Sequence, residues 1–230
     1  MELDPLTIIA ASTVAALTIM IAVFVHAWKF PKSIKGHFTW GLALFFGVCG
    51  AGLVGGRGVI PDLYSIVLGN TMYTVMLALI VSAISQFYGD ATPVKLIGIC
   101  VGIVGLGMSY AYATNHGIAM RTQIAAWPNL ILLCTAIWAT LKGMGAWSGQ
   151  AGAAAIVLSF MIAAMVGLSK VITYIGWGGG YDEILSESPI QKIYIASHGA
   201  AIFVASIGFI LMGYQKISRT RIEADQSSVS

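Results

Sequence analysis

Charge is scarce in this sequence. Charged side chains make up 9% of the 230 residues and hydrophobic ones 58%, where a soluble domain carries about 25% charged residues. That shortage excludes an ordinary soluble domain. The formal net charge of +3 is too small to point to nucleic acid, and the basic residues sit at the ends of apolar runs. Cysteine is scarce too. Cys49, Cys100 and Cys134 all fall inside apolar runs, without metal-ligand spacing and outside any loop that a disulfide would staple. They are expected to be small packing residues. Hydrolase, kinase, P-loop and zinc motifs are missing, as is any paired acid–base set, so neither an enzyme nor a cofactor is expected. The N-terminus, M-E-L-D-P, lacks the basic start of a signal peptide and leads into a longer apolar run, which is expected to stay as a first helix.

What is present is a series of runs, each near the roughly 20 residues that a hydrocarbon core of about 30 Å demands of a helix. Seven spans are predicted, at 6–28, 38–56, 61–88, 94–115, 120–141, 151–176 and 190–214. The fold class is therefore all-α: a polytopic membrane protein with a seven-transmembrane-helix bundle at 1–214 and a tail at 215–230. The tail is amphipathic, then polar, and is expected to fray. The short connections make consecutive helices antiparallel neighbours.

Lysine and arginine bias sets the orientation. One side carries Lys29, Lys32, Lys35, Lys95, Lys142, Lys216, Arg219 and Arg221. The other carries Arg57, Arg121 and Lys192 among Glu2, Asp4, Asp62, Asp182, Glu183 and Glu187. With seven spans this places the N-terminus outside and the C-terminus in the cytoplasm, as in a bacterial inner membrane.

Small residues crowd the end of span 2 (G-V-C-G-A-G-L-V-G-G), span 4 (G-I-C-V-G-I-V-G-L-G) and the start of span 6 (A-G-A-A-A). Such residues let helices approach closely in lipid, either inside the bundle or on a homodimer face. The stretch W-G-G-G-Y-D-E-I-L-S-E-S-P after span 6 is a connector or a lid over the outer end.

The most informative stretch runs from Gly55 to Gly89. A glycine-flanked turn carries Arg57, then Pro61 and Asp62, and a long apolar helix follows. Asp62 and Ser65 are natural helix-start residues. Arg57 and Asp62 form either a local ion pair at the interface or part of a ligand contact. Asn70 lies about 13 Å inside the helix, at 1.5 Å per residue.

Other polar groups fall at similar depth: Tyr110 and Tyr112 in span 4, Trp127 and Asn129 in span 5, Lys170 and Tyr174 in span 6, His198 in span 7. The inner halves of these spans are mostly aliphatic. Ionisable groups within a span are costly and normally face the bundle interior or a wet cavity. Lys170 is the first candidate, although a lysine this near a helix end can also snorkel to the headgroups.

His26, His37, His116 and His198 are scattered, and His26 and His198 do not match in depth as a haem pair would. Span 7 has only Lys192 and Lys216, both near its ends, which excludes a retinal lysine. The expectation is a pocket open to the outside in which Asn70, Lys170 and His198 converge, joined by Tyr110, Asn129 and Tyr174.

The run R-G-V-I-P-D-L-Y-S-I-V-L-G-N-T resembles the seven-helix membrane sensor regions found ahead of bacterial diguanylate cyclase (GGDEF) domains. The segment G-F-I-L-M-G-Y-Q-K-I-S-R-T-R resembles their exit helix. By that resemblance Arg57, Pro61, Asp62 and Asn70 are signature residues of a sensor module. The sequence ends nine residues after Arg221, where an output domain would begin. The expectation is either a stand-alone relative working through a partner or a resemblance of fold alone.

Three functions remain open. The leading one is a membrane sensor or accessory protein that binds a small ligand or a membrane-protein partner and signals through helix 7. The alternative is an integral subunit of a larger membrane complex, docked by its small-residue faces. The third is a small-solute transporter, which Pro61 and Pro128 at outer helix ends leave open.

Overall fold

The computed structural model describes residues 5–144, 150–176 and 189–227. Among these residues, seven helices are long and apolar enough to cross a membrane, the architecture of a multi-pass membrane protein. They are α1 (Pro5–Lys29), α2 (His37–Gly55), α3 (Gly69–Tyr88), α4 (Val94–Ala113), α5 (Ile118–Met144), α6 (Ala151–Gly176) and α7 (Pro189–Ser227). Large apolar side chains such as Val14, Ile21, Ile103, Leu106, Met165 and Ile172 point outward. In water such a belt would drive association; in lipid it is the solvated surface.

Local chemistry ends the helices where the backbone needs a positive φ. Gly89 (φ 79°) closes α3, with its N–H on Gln86 O and the Asp90 N–H on Ser85 O, the paired bonds of a Schellman cap. Asn115 (φ 57°) closes α4 in the same way, with the His116 N–H on Ala111 O. At the start of α2, Gly36 (φ 95°) is pressed so closely on the Ala83 carbonyl of α3 that a Cβ has no room.

The segment Leu63–Leu68 leads into α3 without a break and is π-helical, the Gly69 N–H bonding back to Tyr64 O. Asp62 stands at its N-cap position without a side-chain capping bond. This corrects the expectation that its carboxylate caps the helix. The Tyr64 and Ser65 N–H groups turn to Pro61 O instead.

Helix neighbours trace a closed ring: α1 packs on α2, α2 on α3, α3 on α5, α5 on α6, α6 on α7, and α7 back on α1. Helix α4 stands outside, in the groove between α3 and α5. Small residues set the close contacts within the ring. Gly152 and Gly208 meet backbone to backbone between α6 and α7, and Gly50 meets Gly69 O between α2 and α3. On α4, by contrast, Gly98 and Gly102 face open space.

One half of the ring is filled. Trp40 stacks on Phe209 with centroids 4.2 Å apart and donates from Nε1 to Ser206 Oγ at 2.9 Å. Phe160, Ile80 and Ile84 complete this plug, all fully buried. Beside it, His37 donates from Nε2 to Phe209 O and its ring meets Phe30. His26 is hydrogen-bonded to Tyr214 at 2.9 Å.

Helix α7 does not stop at residue 214. Its 39 residues span about 58 Å, almost twice the hydrocarbon thickness. The tail expected to fray is helical through Ser227, carrying an Arg219–Glu223 pair one turn apart. Neither proline nor glycine interrupts it beyond Gly213.

Candidate functional site

The other half of the ring is hollow. A cavity of about 470 Å³ lies among α1, α2, α3, α5, α6 and α7, with Met108 of α4 also in its wall, within the usual range of small-molecule sites. It runs along α2 from Leu44 to Val54, a rise of about 15 Å. Its floor is Ala16, Leu44, Met76 and Ile202, directly above the aromatic plug. Its far end is formed by Arg57, by His116 of the α4–α5 connection and by Arg121 in the first turn of α5.

Four of the candidates line this space: Asn70, Asn129, Lys170 and His198. Each is held by its own element. Asn70 follows the π segment and donates from Nδ2 to Ile66 O at 2.6 Å, anchoring the side chain at the join with α3. Asn129 sits just beyond Pro128, a residue inside α5 rather than at its end. Its Oδ1 accepts from Thr74 Oγ1 at 2.9 Å, so the α3–α5 contact is polar at this depth. Thr74 is fully buried.

Lys170 is 8% exposed and therefore does not snorkel. Its Nζ lies 3.9 Å from the centroid of the Tyr194 ring. His198 donates from Nδ1 to Tyr194 O and is flanked by Tyr194, 4.2 Å away, and by Tyr73 of α3, 6.3 Å away. Aromatic rings thus link α3, α6 and α7 around one cation.

The remaining candidates are placed differently. Tyr110 is 58% exposed and lies beside His116 on α4. The face of α4 that carries Tyr110 turns away from the cavity, whose wall α4 reaches with Met108. Tyr174 falls within α6, but its side chain lies outside the described residues, as do residues 177–188 of the suggested lid. Arg57 lines the cavity whereas Pro61 and Asp62 are exposed. The ion pairs among the described residues are Lys142–Asp90 and Arg219–Glu223, so the local Arg57–Asp62 pair is not formed. Cys100 is buried as a packing residue, but Cys134 is exposed because its face of α5 points away from the ring.

Sequence reasoning missed three contributors. Arg121 was counted only as a topology charge, yet it lines the cavity. Tyr73 and Tyr194 carry no signal of their own, since aromatic residues in a span read as packing. Among the described residues, no group of three His, Cys, Asp or Glu side chains is placed to hold a metal ion.

No family model, no curated protein and no solved structure matches the chain.

Proposed function

We propose that the protein is a membrane sensor or accessory protein that holds a small molecule in this cavity and passes its occupancy along α7. The observation that carries the reading is the course of α7. The helix lines the cavity with Tyr194, His198 and Ile202, forms the plug with Ser206 and Phe209, and continues without a break to Ser227. A side-chain shift at the cavity therefore has a rigid path to the opposite end of the bundle. The π segment adds to the case, since such bulges are frequent at functional sites. The resemblance to the sensor regions of diguanylate cyclases supports the same role. The lysine-rich side supports an orientation with the cavity toward the exterior of a bacterial inner membrane and the end of α7 in the cytoplasm. The role is one of binding, not catalysis.

The requirement is two bundle states with different affinity for the occupant. A tethered occupant tests it without knowing the ligand. Ala126 lines the cavity, and Ala126→Phe fills part of it. Spin labels at positions 95 and 221, in a background without native cysteines, report the distance from the α3–α4 turn to the end of α7. A changed distance distribution in Ala126→Phe is the expected result. Identical distributions contradict transmission through α7.

A second reading, as a subunit of a larger membrane complex, is favoured by α4. Its Gly98 and Gly102 meet nothing within 4 Å, beside exposed Ile99, Ile103 and Leu106. A partner helix docked there would cover a face that the ring leaves open.

A further inference from the structure

We infer that the cavity takes an apolar molecule bearing a hydrogen-bond donor, a hydroxyl or an amide N–H, which the ring of His198 accepts. This rests on the binding role proposed above and names the chemistry of the occupant. His198 is 9% exposed and lines the cavity. Its Nδ1 lies 3.0 Å from Tyr194 O. A carbonyl only accepts, so in the neutral imidazole the hydrogen sits on Nδ1 and Nε2 carries a lone pair. Nε2 has no hydrogen-bond partner among the described residues, and it is not one of the unpaired polar atoms sealed inside the bundle. It therefore opens onto the cavity. A buried acceptor without a donor is costly, and the occupant supplies that donor.

Neighbouring groups fix the ring and the depth at which the donor sits. Tyr194 and Tyr73 flank His198, with ring centres 4.2 and 6.3 Å away. Tyr73 precedes Thr74, whose hydroxyl reaches Asn129 at 2.9 Å, so Asn129 stands near the level of His198. With Oδ1 engaged by Thr74, Asn129 keeps its Nδ2 as a donor. Asn70 has its Nδ2 on Ile66 O and keeps Oδ1 as a second acceptor. A hydroxyl, which both donates and accepts, suits this mixed set, whereas an ether leaves the His198 acceptor unmet. Carbon surrounds the level on both sides. Met76 and Ile202 lie one turn below it, and Ile9, Val54, Ile66 and Ala125 line the walls toward the far end. The rest of the occupant is therefore apolar, and a volume of about 470 Å³ has room for a branched chain the size of farnesol.

Such a donor has two sources, a hydroxyl-bearing lipid of the bilayer or a free amphiphile, and the test separates them. The protein is reconstituted in phosphatidylcholine nanodiscs, and radiolabelled farnesol, farnesyl methyl ether and farnesene are titrated against it and against empty discs. The three share a carbon body, and only farnesol donates. Saturable farnesol binding about tenfold tighter than that of either other probe is expected, from the one hydrogen bond that the others leave unmade. His198→Phe keeps a ring and removes the acceptor. Farnesol should then weaken to the level of the ether, while ether binding stays as it is, a change of ratio that a merely structural histidine would not produce. His198→Gln, whose Oε1 accepts, should restore most of the preference.

Dioleoylglycerol in the discs, a lipid with a single hydroxyl, then separates the sources. Competition by that lipid identifies a bilayer lipid as the occupant, and no competition identifies a free amphiphile; both outcomes support the donor. Equal or tighter saturable binding of the ether or of farnesene, or an unchanged preference for farnesol in His198→Phe, overturns the donor to His198 while leaving the binding role intact. A lack of saturable binding by all three probes overturns both.

Discussion

The ammonium of Lys170 lies 3.9 Å from the centre of the Tyr194 ring, so a buried cation on α6 is held by the face of an aromatic ring on α7. A ring face attracts a desolvated cation by about 2 kcal/mol, while burying an ammonium carries a larger penalty. Lys170→Met removes the charge that the ring faces. Tyr194→Leu is expected to cost about 1–2 kcal/mol, because the charge loses its ring. In the double variant that loss should largely disappear. Thermal melts of the four proteins in nanodiscs measure the cycle, and additive losses would show that the two side chains do not interact.

The α3–α5 contact rests on Thr74 and Asn129. Thr74→Val keeps the shape and removes the donor to Asn129 Oδ1. Polar contacts between membrane helices are worth about 0.6 kcal/mol on average, with an upper end near 1.7. Full burial of Thr74 places this one toward the upper end. Thr74→Ser should recover most of the loss. Equal melting of the Val and Ser variants would show that the hydroxyl does not stabilise the ring.

Glycines of two kinds make opposite predictions. A Cβ on Gly152 would run into the Gly208 carbonyl and Met212, so Gly152→Val must push α6 from α7, a loss of about 1–3 kcal/mol. A Cβ on Gly98 or Gly102 meets nothing, and Gly98→Leu should change the stability of the isolated protein by less than about 0.5 kcal/mol. If Gly98→Leu also removes a co-purifying membrane protein, the subunit reading gains its docking surface. If it changes neither stability nor co-purification, that face meets lipid alone.

The spans were legible because length and hydropathy are one-dimensional quantities. With the π segment counted into α3, each helix begins and ends within a few residues of its expected place, except α7. There the polar tail was taken for a frayed end, although it carries no helix breaker beyond Gly213. Asn70, Asn129, Lys170 and His198 stood out because polar groups in lipid-length runs are costly, and all four line one cavity; that they bind a ligand remains the proposal made above.

What the sequence did not contain was the ring. Whether α4 closes the circle or stands outside depends on which small-residue face meets which, and Tyr110 was grouped with the wrong neighbours for that reason. The π segment ends at Gly69, which packs against Gly50 and Val54 of α2. The His26–Tyr214 and His37–Phe209 bonds join residues far apart in the chain. Their meeting depends on close approaches at Gly36 and Gly213.

The central claim, that the hollow half of the ring is a binding site, is tested most directly by native mass spectrometry. The tagged protein and its Ala126→Phe variant are released from their own membranes under gentle conditions, and the masses retained by each are compared. The account predicts a small molecule that stays with the unaltered protein and is lost, or strongly depleted, in the filled variant. Retention of the same mass by both proteins, or bare protein in both, would contradict it.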